Sequence, residues 1–136
     1  MPKRRRGSRH LARRLPPANQ RFELLVERAL AGIPQPFRDS LREVAIVIED
    51  EPTAEQLRDG SPDADGLYGL YEGTPRTEWA ADAVAAPNKI TLFRVPLEDD
   101  FADPDALAEE VRLTVIHELA HHLGIDDDRL HELGVG

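Results

Sequence analysis

Cysteine is absent from this chain, which removes disulfides, thiolate metal ligands and a cysteine nucleophile together. Any metal must therefore be held by His, Asp or Glu. No apolar run approaches the length of a bilayer span, so no membrane crossing is expected. No apolar segment follows the basic start, so a secretory signal is not expected, and a cytoplasmic location fits. What is present suits a soluble globular protein: 136 residues, 40% hydrophobic and 32% charged, give room for one domain with one core.

Acidic residues are missing from the first 14 positions, and this hides a segregation inside the net charge of −9. Lys3, Arg4, Arg5, Arg6, Arg9, Arg13 and Arg14 take seven of the 17 basic residues. The rest of the chain then carries ten basic against 26 acidic groups, a net of −16. Blocks such as "KRRRGSRHLARR" are usually solvated arms, so residues 1–16 are expected to be a disordered basic tail ahead of a domain at 17–136. The domain should repel nucleic acid, whereas the tail offers weak contact to nucleic acid or another acidic partner.

Along the chain, "QRFELLVERALAGIP" places Phe22, Leu25, Val26, Ala29, Leu30 and Ile33 at helical spacing. Asn19 is the expected N-cap, and Gly32 with Pro34 closes the helix. "PFRDSLREV" adds a helical turn. "VAIVIE", at 44–49, is short, β-branched and nearly continuous, so it reads as a buried strand. Thr53 to Gln56 has the spacing of a capping box opening a short helix. "RDGSPDADG" is a loop, and "LYGLYEG" at 67–73 an edge or bulged strand. "TPRTEWAADAVAAPN" is a long connector of the kind that often carries function, with Trp79 placed to line a cleft or anchor the loop. "KITLFRVPL", at 89–97, is a third strand whose pairing Pro96 limits on one side. This order of elements predicts an α+β fold with a small sheet.

The chemistry is concentrated in "TVIHELAHHLGIDDDRLHELG", residues 114–134, which holds four of the five histidines. Its helix starts upstream, with Asp103 as N-cap, Pro104 at the first helical position and Asp105 in the first turn. Leu107, Val111 and Val115 begin a buried face that Leu113, Ile116, Ala120 and Leu123 broaden, and Gly124 stands where a helix ends left-handed. His117-Glu118-Leu119-Ala120-His121 is an H-E-x-x-H pattern. Its histidines lie one above the other on a helix face, within reach of one cation. Glu118 projects to the side, toward a metal's water rather than the metal. In a chain of this length the pattern arises by chance on the order of a few times in a thousand.

Beyond the Gly124 turn, Asp127 completes the spacing H-E-x-x-H-x-x-G-x-x-D. Asp126, Asp128 and His131 remain open as alternative third ligands, and the three aspartates equally suit a cap for the final helix. His122 points about 100° around the helix from His121 and reads as a packing or surface histidine. The bland reading of the segment is a solvated polar face, which explains Glu109, Glu110 and Arg112 but not two histidines in register with an apolar face.

Residues 20–134 resemble the zincin metallopeptidases, and more narrowly the small bacterial minimal zincins with the same H-E-x-x-H-x-x-G-x-x-D signature. The segments "LYGLYEG", "ITLFRVPLE" and "EEVRLTVIHELAHHLGIDDDRLHELG" carry the resemblance in order. It implies a compact α+β fold in which a small mixed sheet packs on the helix bearing the histidines and on an N-terminal helix. It also implies one Zn2+ held by His117, His121 and Asp127, with Glu118 as the general base of a peptidase using a metal-activated water. An extended peptide or protein substrate would pair with the edge at Tyr68, Gly69, Leu70 and Tyr71. Two rivals stand beside this reading. One is a zincin-like metal-dependent ribonuclease, favoured by the tail and opposed by the acidic domain and by Glu118 and Asp127. The other is a non-catalytic metal-binding domain.

Overall fold

The computed structural model describes residues 17–59, 67–73 and 88–134, the side chains of Asn19, Asp59 and Asp127 excepted. The basic tail, the loop at 60–66 and the connector at 74–87 with Trp79 lie outside the described residues.

The sheet is built from β1 (Ala45–Glu49), β2 (Gly69–Glu72) and β3 (Lys89–Phe93) in the order β1-β3-β2. β1 runs parallel to β3 and β2 antiparallel to it, so the sheet is mixed. β3 is central, and Ile90, Thr91, Leu92 and Phe93 are all fully buried. The expectation of a buried strand at 44–49 needs correction, because among the described residues β1 lies at an edge of the sheet and its residues are half-buried or exposed. A β-branched run signals a strand, but the pairing order decides which strand ends up in the middle.

A second correction concerns 89–97. The strand stops at Phe93, and Arg94–Asp100 forms helix α4 with Pro96 in its first turn. The first N–H groups of a helix have no intrahelical acceptor, so proline costs little there. The switch is fixed from outside the segment. Arg94 Nε donates to Asp50 Oδ1 at 3.0 Å, its terminal nitrogen donates to Glu98 Oε1 at 2.6 Å, and the Val95 N–H donates to the Asp50 carbonyl at 2.9 Å.

Helix α1 (Ala18–Ala31) starts after Pro17 rather than at Asn19 and closes at Gly32 as expected. Its stripe of Phe22, Val26 and Ala29 is buried, with Ile33 just beyond. Short α2 (Phe37–Ser40) and a 3-10 turn (Leu41–Glu43) lead into β1. Helix α3 (Ala54–Asp59) opens on the predicted capping box, with Thr53 and Gln56 exchanging hydrogen bonds at 2.9 and 3.0 Å.

Helix α5 (Pro104–Leu123) is the centre of the molecule, packing on α1, α2, α4, β2, β3 and α6 (Asp127–Glu132). It starts as its sequence dictates, with Asp103 accepting from the Ala106 N–H at 2.9 Å. It ends on Gly124 at φ 74°, where the Ile125 and Gly124 amides return to the Ala120 and His121 carbonyls. Leu130, 1% exposed, then anchors α6 in the core. Strand β2 lies directly on α5 because Gly69 carries no side chain; a Cβ there would sit 2.7 Å from Thr114 Cγ2. No helix among the described residues is long and apolar enough to cross a membrane.

Candidate active site

The last two turns of α5 present four polar groups in two directions. His117 and His121 share one face, their ring centroids 5.0 Å apart and their planes at 65°. The His121 side chain is half exposed and borders a shallow, open surface depression lined with Gly124, Ile125 and Asp126. Glu118 and His122, one turn apart, are buried beneath β2.

Glu118 is held from above. Antiparallel pairing sets Phe93 N–H on the Tyr68 carbonyl, so the backbone groups of Gly69 and Tyr71 point away from β3, toward the outer edge of β2. The Tyr71 amide there donates to Glu118 Oε1 at 3.0 Å, and His121 Nδ1 lies 3.2 Å from the same oxygen. The carboxylate thus sits between the imidazole pair and an edge with which no other described strand pairs.

The left-handed turn at Gly124 brings α6 round to this face. Asp126 is its N-cap, accepting from the Arg129 N–H at 2.9 Å, which realises the capping role open to the aspartate trio. Asp127 is the first residue of α6, and its side chain lies outside the described residues. Asp128 and His131 are exposed on α6. Among the described residues no three His, Asp or Glu side chains gather closely enough to hold a metal ion. The described donors are therefore the two imidazoles. Two nitrogens one turn apart, with no sulfur nearby, are of the kind zinc takes, and they make two of the three protein ligands of a catalytic zinc site.

His122 takes the packing role that the sequence leaves open to it, with polar partners that the sequence does not show. It is fully buried, with Nε2 2.7 Å from Glu43 Oε1 and Nδ1 3.2 Å from the Tyr71 hydroxyl. The Tyr71 hydroxyl in turn donates to Asn88 Oδ1 at 2.8 Å. With both ring nitrogens so engaged, His122 is not a candidate ligand. Nothing in the local spacing points to Glu43, 79 residues away, as its partner. The edge residues Tyr68, Gly69, Leu70 and Tyr71 do lie beside Glu118 in β2, but both tyrosine side chains turn to internal partners. Tyr71 faces His122, while the Tyr68 hydroxyl donates to Asp100 and its ring meets Phe101 edge-on at 5.8 Å.

No curated protein matches the chain. The model of one family does, the zincin-like metallopeptidases, over residues 41–136, which contain the sheet, α5 and α6 but leave out α1. This match covers well over half of the chain, and the mixed α and β architecture is compatible with it: the chain belongs to the zincin-like metallopeptidase family.

Proposed function

We propose that the protein is a zinc-dependent peptidase in which His117, His121 and Asp127 hold one Zn2+ and Glu118 is the general base. The observation that carries this reading is the place of the Glu118 carboxylate, 3.2 Å from His121 Nδ1 and 3.0 Å from the amide of an edge strand. Zinc in such a set supplies a Lewis acid that lowers the pKa of water toward ~7 and polarises a carbonyl. Glu118 takes the proton of the attacking water and returns it to the leaving amine, so the peptide bond breaks into an acid and an amine. The substrate is an extended peptide or protein segment lying along the outer edge of β2 beside Glu118, where Gly69 turns its backbone groups outward.

A second contact is favoured by the charge segregation. The seven basic residues before position 15 attract an anionic partner, nucleic acid included, while the acidic domain repels it. This makes the tail an anchor and the domain a peptidase, rather than the whole chain a ribonuclease.

The test is metal content and hydrolysis measured together. Purified protein should carry one zinc and cleave an unstructured peptide but not RNA, with activity lost to a chelator. Glu118→Gln should keep the zinc and lose hydrolysis. Full turnover by that variant removes Glu118 as base, and cleavage of RNA alone supports the ribonuclease reading instead.

A further inference from the structure

Helix α5 meets Tyr71 at two points one helical turn apart. Glu118 accepts from the Tyr71 backbone amide, and His122, four residues on, contacts the Tyr71 hydroxyl. Tyr71 is thus held by its backbone and by the tip of its side chain on the same helix. The ring between the two grips packs against the imidazole, with centroids 5.6 Å apart.

Each end of this arrangement is tied down. Glu43, on the 3-10 turn before β1, holds His122 Nε2 at 2.7 Å. Asn88, just before β3, accepts from the Tyr71 hydroxyl, and its own position is fitted against Gly73. Gly73 has φ 145°, and a Cβ on it would lie 2.2 Å from Asn88 Oδ1 and 2.9 Å from Asn88 Cα. A line of polar contacts therefore runs from Glu43 through His122 and Tyr71 to Asn88, drawing on the 3-10 turn, α5, β2 and the start of β3. Polar side chains in a part-buried network of this kind hold a single geometry when every member has a partner.

We infer that His122, with Glu43 and Asn88, is a positioning residue that locks the Tyr71 side chain onto α5 and thereby keeps the Tyr71 amide, which the ladder already turns outward, within reach of Glu118. The lock sets the distance between the base and the strand edge on which substrate adds. This rests on the peptidase reading for its catalytic consequence, but the aim of the amide is a property of the resting protein. His122 touches neither substrate nor metal, so its removal should slow the chemical step without weakening substrate or zinc binding.

Tyr71→Phe is the cleanest probe, because it keeps the ring and deletes only the hydroxyl; Glu43→Ala and Glu43→Gln probe the other end. In Tyr71→Phe and Glu43→Ala, kcat should fall about tenfold to a hundredfold, the scale of a small misplacement of a catalytic group. KM and zinc content should stay at their wild-type values. Glu43→Gln, which keeps an acceptor for the imidazole, should retain most of kcat. Independently of activity, hydrogen exchange of the residue 71 amide in metal-free protein should be slow in wild type and about tenfold faster or more in Tyr71→Phe, Glu43→Ala and Glu118→Ala. Unchanged exchange in Tyr71→Phe overturns the inference, as does a loss of zinc or a rise in KM that accounts for the whole effect. A wild-type protein that holds zinc but cleaves no peptide sinks the peptidase reading alone, and the exchange rates then decide the positioning role by themselves.

Discussion

Tyr71 N–H and Glu118 Oε1 are 3.0 Å apart, although 47 residues separate them in the chain. That bond makes Glu118 a structural partner of β2 as well as the proposed base. A neutral amide oxygen accepts from the same N–H, so Glu118→Gln should keep near wild-type stability. Glu118→Leu leaves the Tyr71 amide without this acceptor in a part-buried site and should cost about 1–3 kcal/mol. Chemical denaturation of both variants without metal measures the difference. Equal stabilities would show that the hydrogen bond contributes nothing to the fold.

Zinc should stabilise the folded chain, because an ion that binds only the native state adds about 2.7 kcal/mol at a hundredfold excess over its Kd. His117→Ala, His121→Ala and Asp127→Ala should each abolish that rise in unfolding temperature. Asp126→Ala should lower the baseline by about 1 kcal/mol, since it removes the α6 cap, while the response to zinc persists. Reversal of the two aspartate phenotypes would move the third ligand to Asp126. Thermal scans with and without zinc read all four variants.

Gly69 is where β2 rests on α5. A methyl group there meets Thr114 Cγ2 at 2.7 Å and the Thr91 carbonyl at 3.3 Å, so β2 must lift from α5. Gly69→Ala should destabilise by about 1–3 kcal/mol, as overpacking does elsewhere. It should reduce hydrolysis further still, because β2 carries the amide that holds Glu118. The paired Gly69→Ala/Thr114→Ser variant, which removes the clashing methyl, should recover most of both losses. Recovery of stability without activity would separate the packing from the aim of the strand.

The site is legible in the sequence where its geometry is local. Asp103, Pro104 and Gly124 bound α5 by short-range backbone chemistry, and the four-residue spacing of His117 and His121 is a helical repeat, so both follow from the sequence. The strand at 89–97 reads too long because its end depends on Arg94 meeting Asp50 across the fold. The run at 44–49 reads as buried because apolar periodicity cannot report pairing order. His122 packs inside as the sequence allows, but its partners, Glu43 and Tyr71, lie 79 and 51 residues away and so leave no local signal. Long-range polar contacts leave no period in a sequence, and they are what surrounds Glu118.

The tail prediction follows from electrostatics alone. The full chain should bind duplex DNA or RNA weakly, with an affinity that falls steeply as salt rises. Replacing Arg4, Arg5 and Arg6 by Gln should flatten the salt dependence by roughly one unit of slope for each phosphate no longer neutralised. Peptide hydrolysis should be unchanged by those substitutions. Binding that survives them at moderate salt would place the interaction on the folded part, against its acidic charge.

Glu110 gives a pH dependence whose sign is set by burial. Burial pushes its carboxyl above the usual 4.5, the neighbouring Glu109 adds to this, and a hydrogen bond from the Thr114 hydroxyl only partly opposes it. A carboxyl whose pKa is higher folded than unfolded holds its proton longer in the native state. The contribution of Glu110 to stability is therefore greatest below about 4.5 and declines as pH rises through the window up to the raised value. Glu109 has the opposite sign, because Arg112 holds its carboxyl below 4.5, so its contribution is lost as pH falls; its exposure leaves that contribution screened. Glu110→Gln keeps an acceptor for Thr114 and removes the buried charge. It should raise the unfolding midpoint at pH 7 and leave it nearly unchanged at pH 4, where wild-type Glu110 is already largely protonated. A midpoint that falls at pH 7 would mean that the ionised carboxylate has a stabilising partner stronger than the cost of its burial.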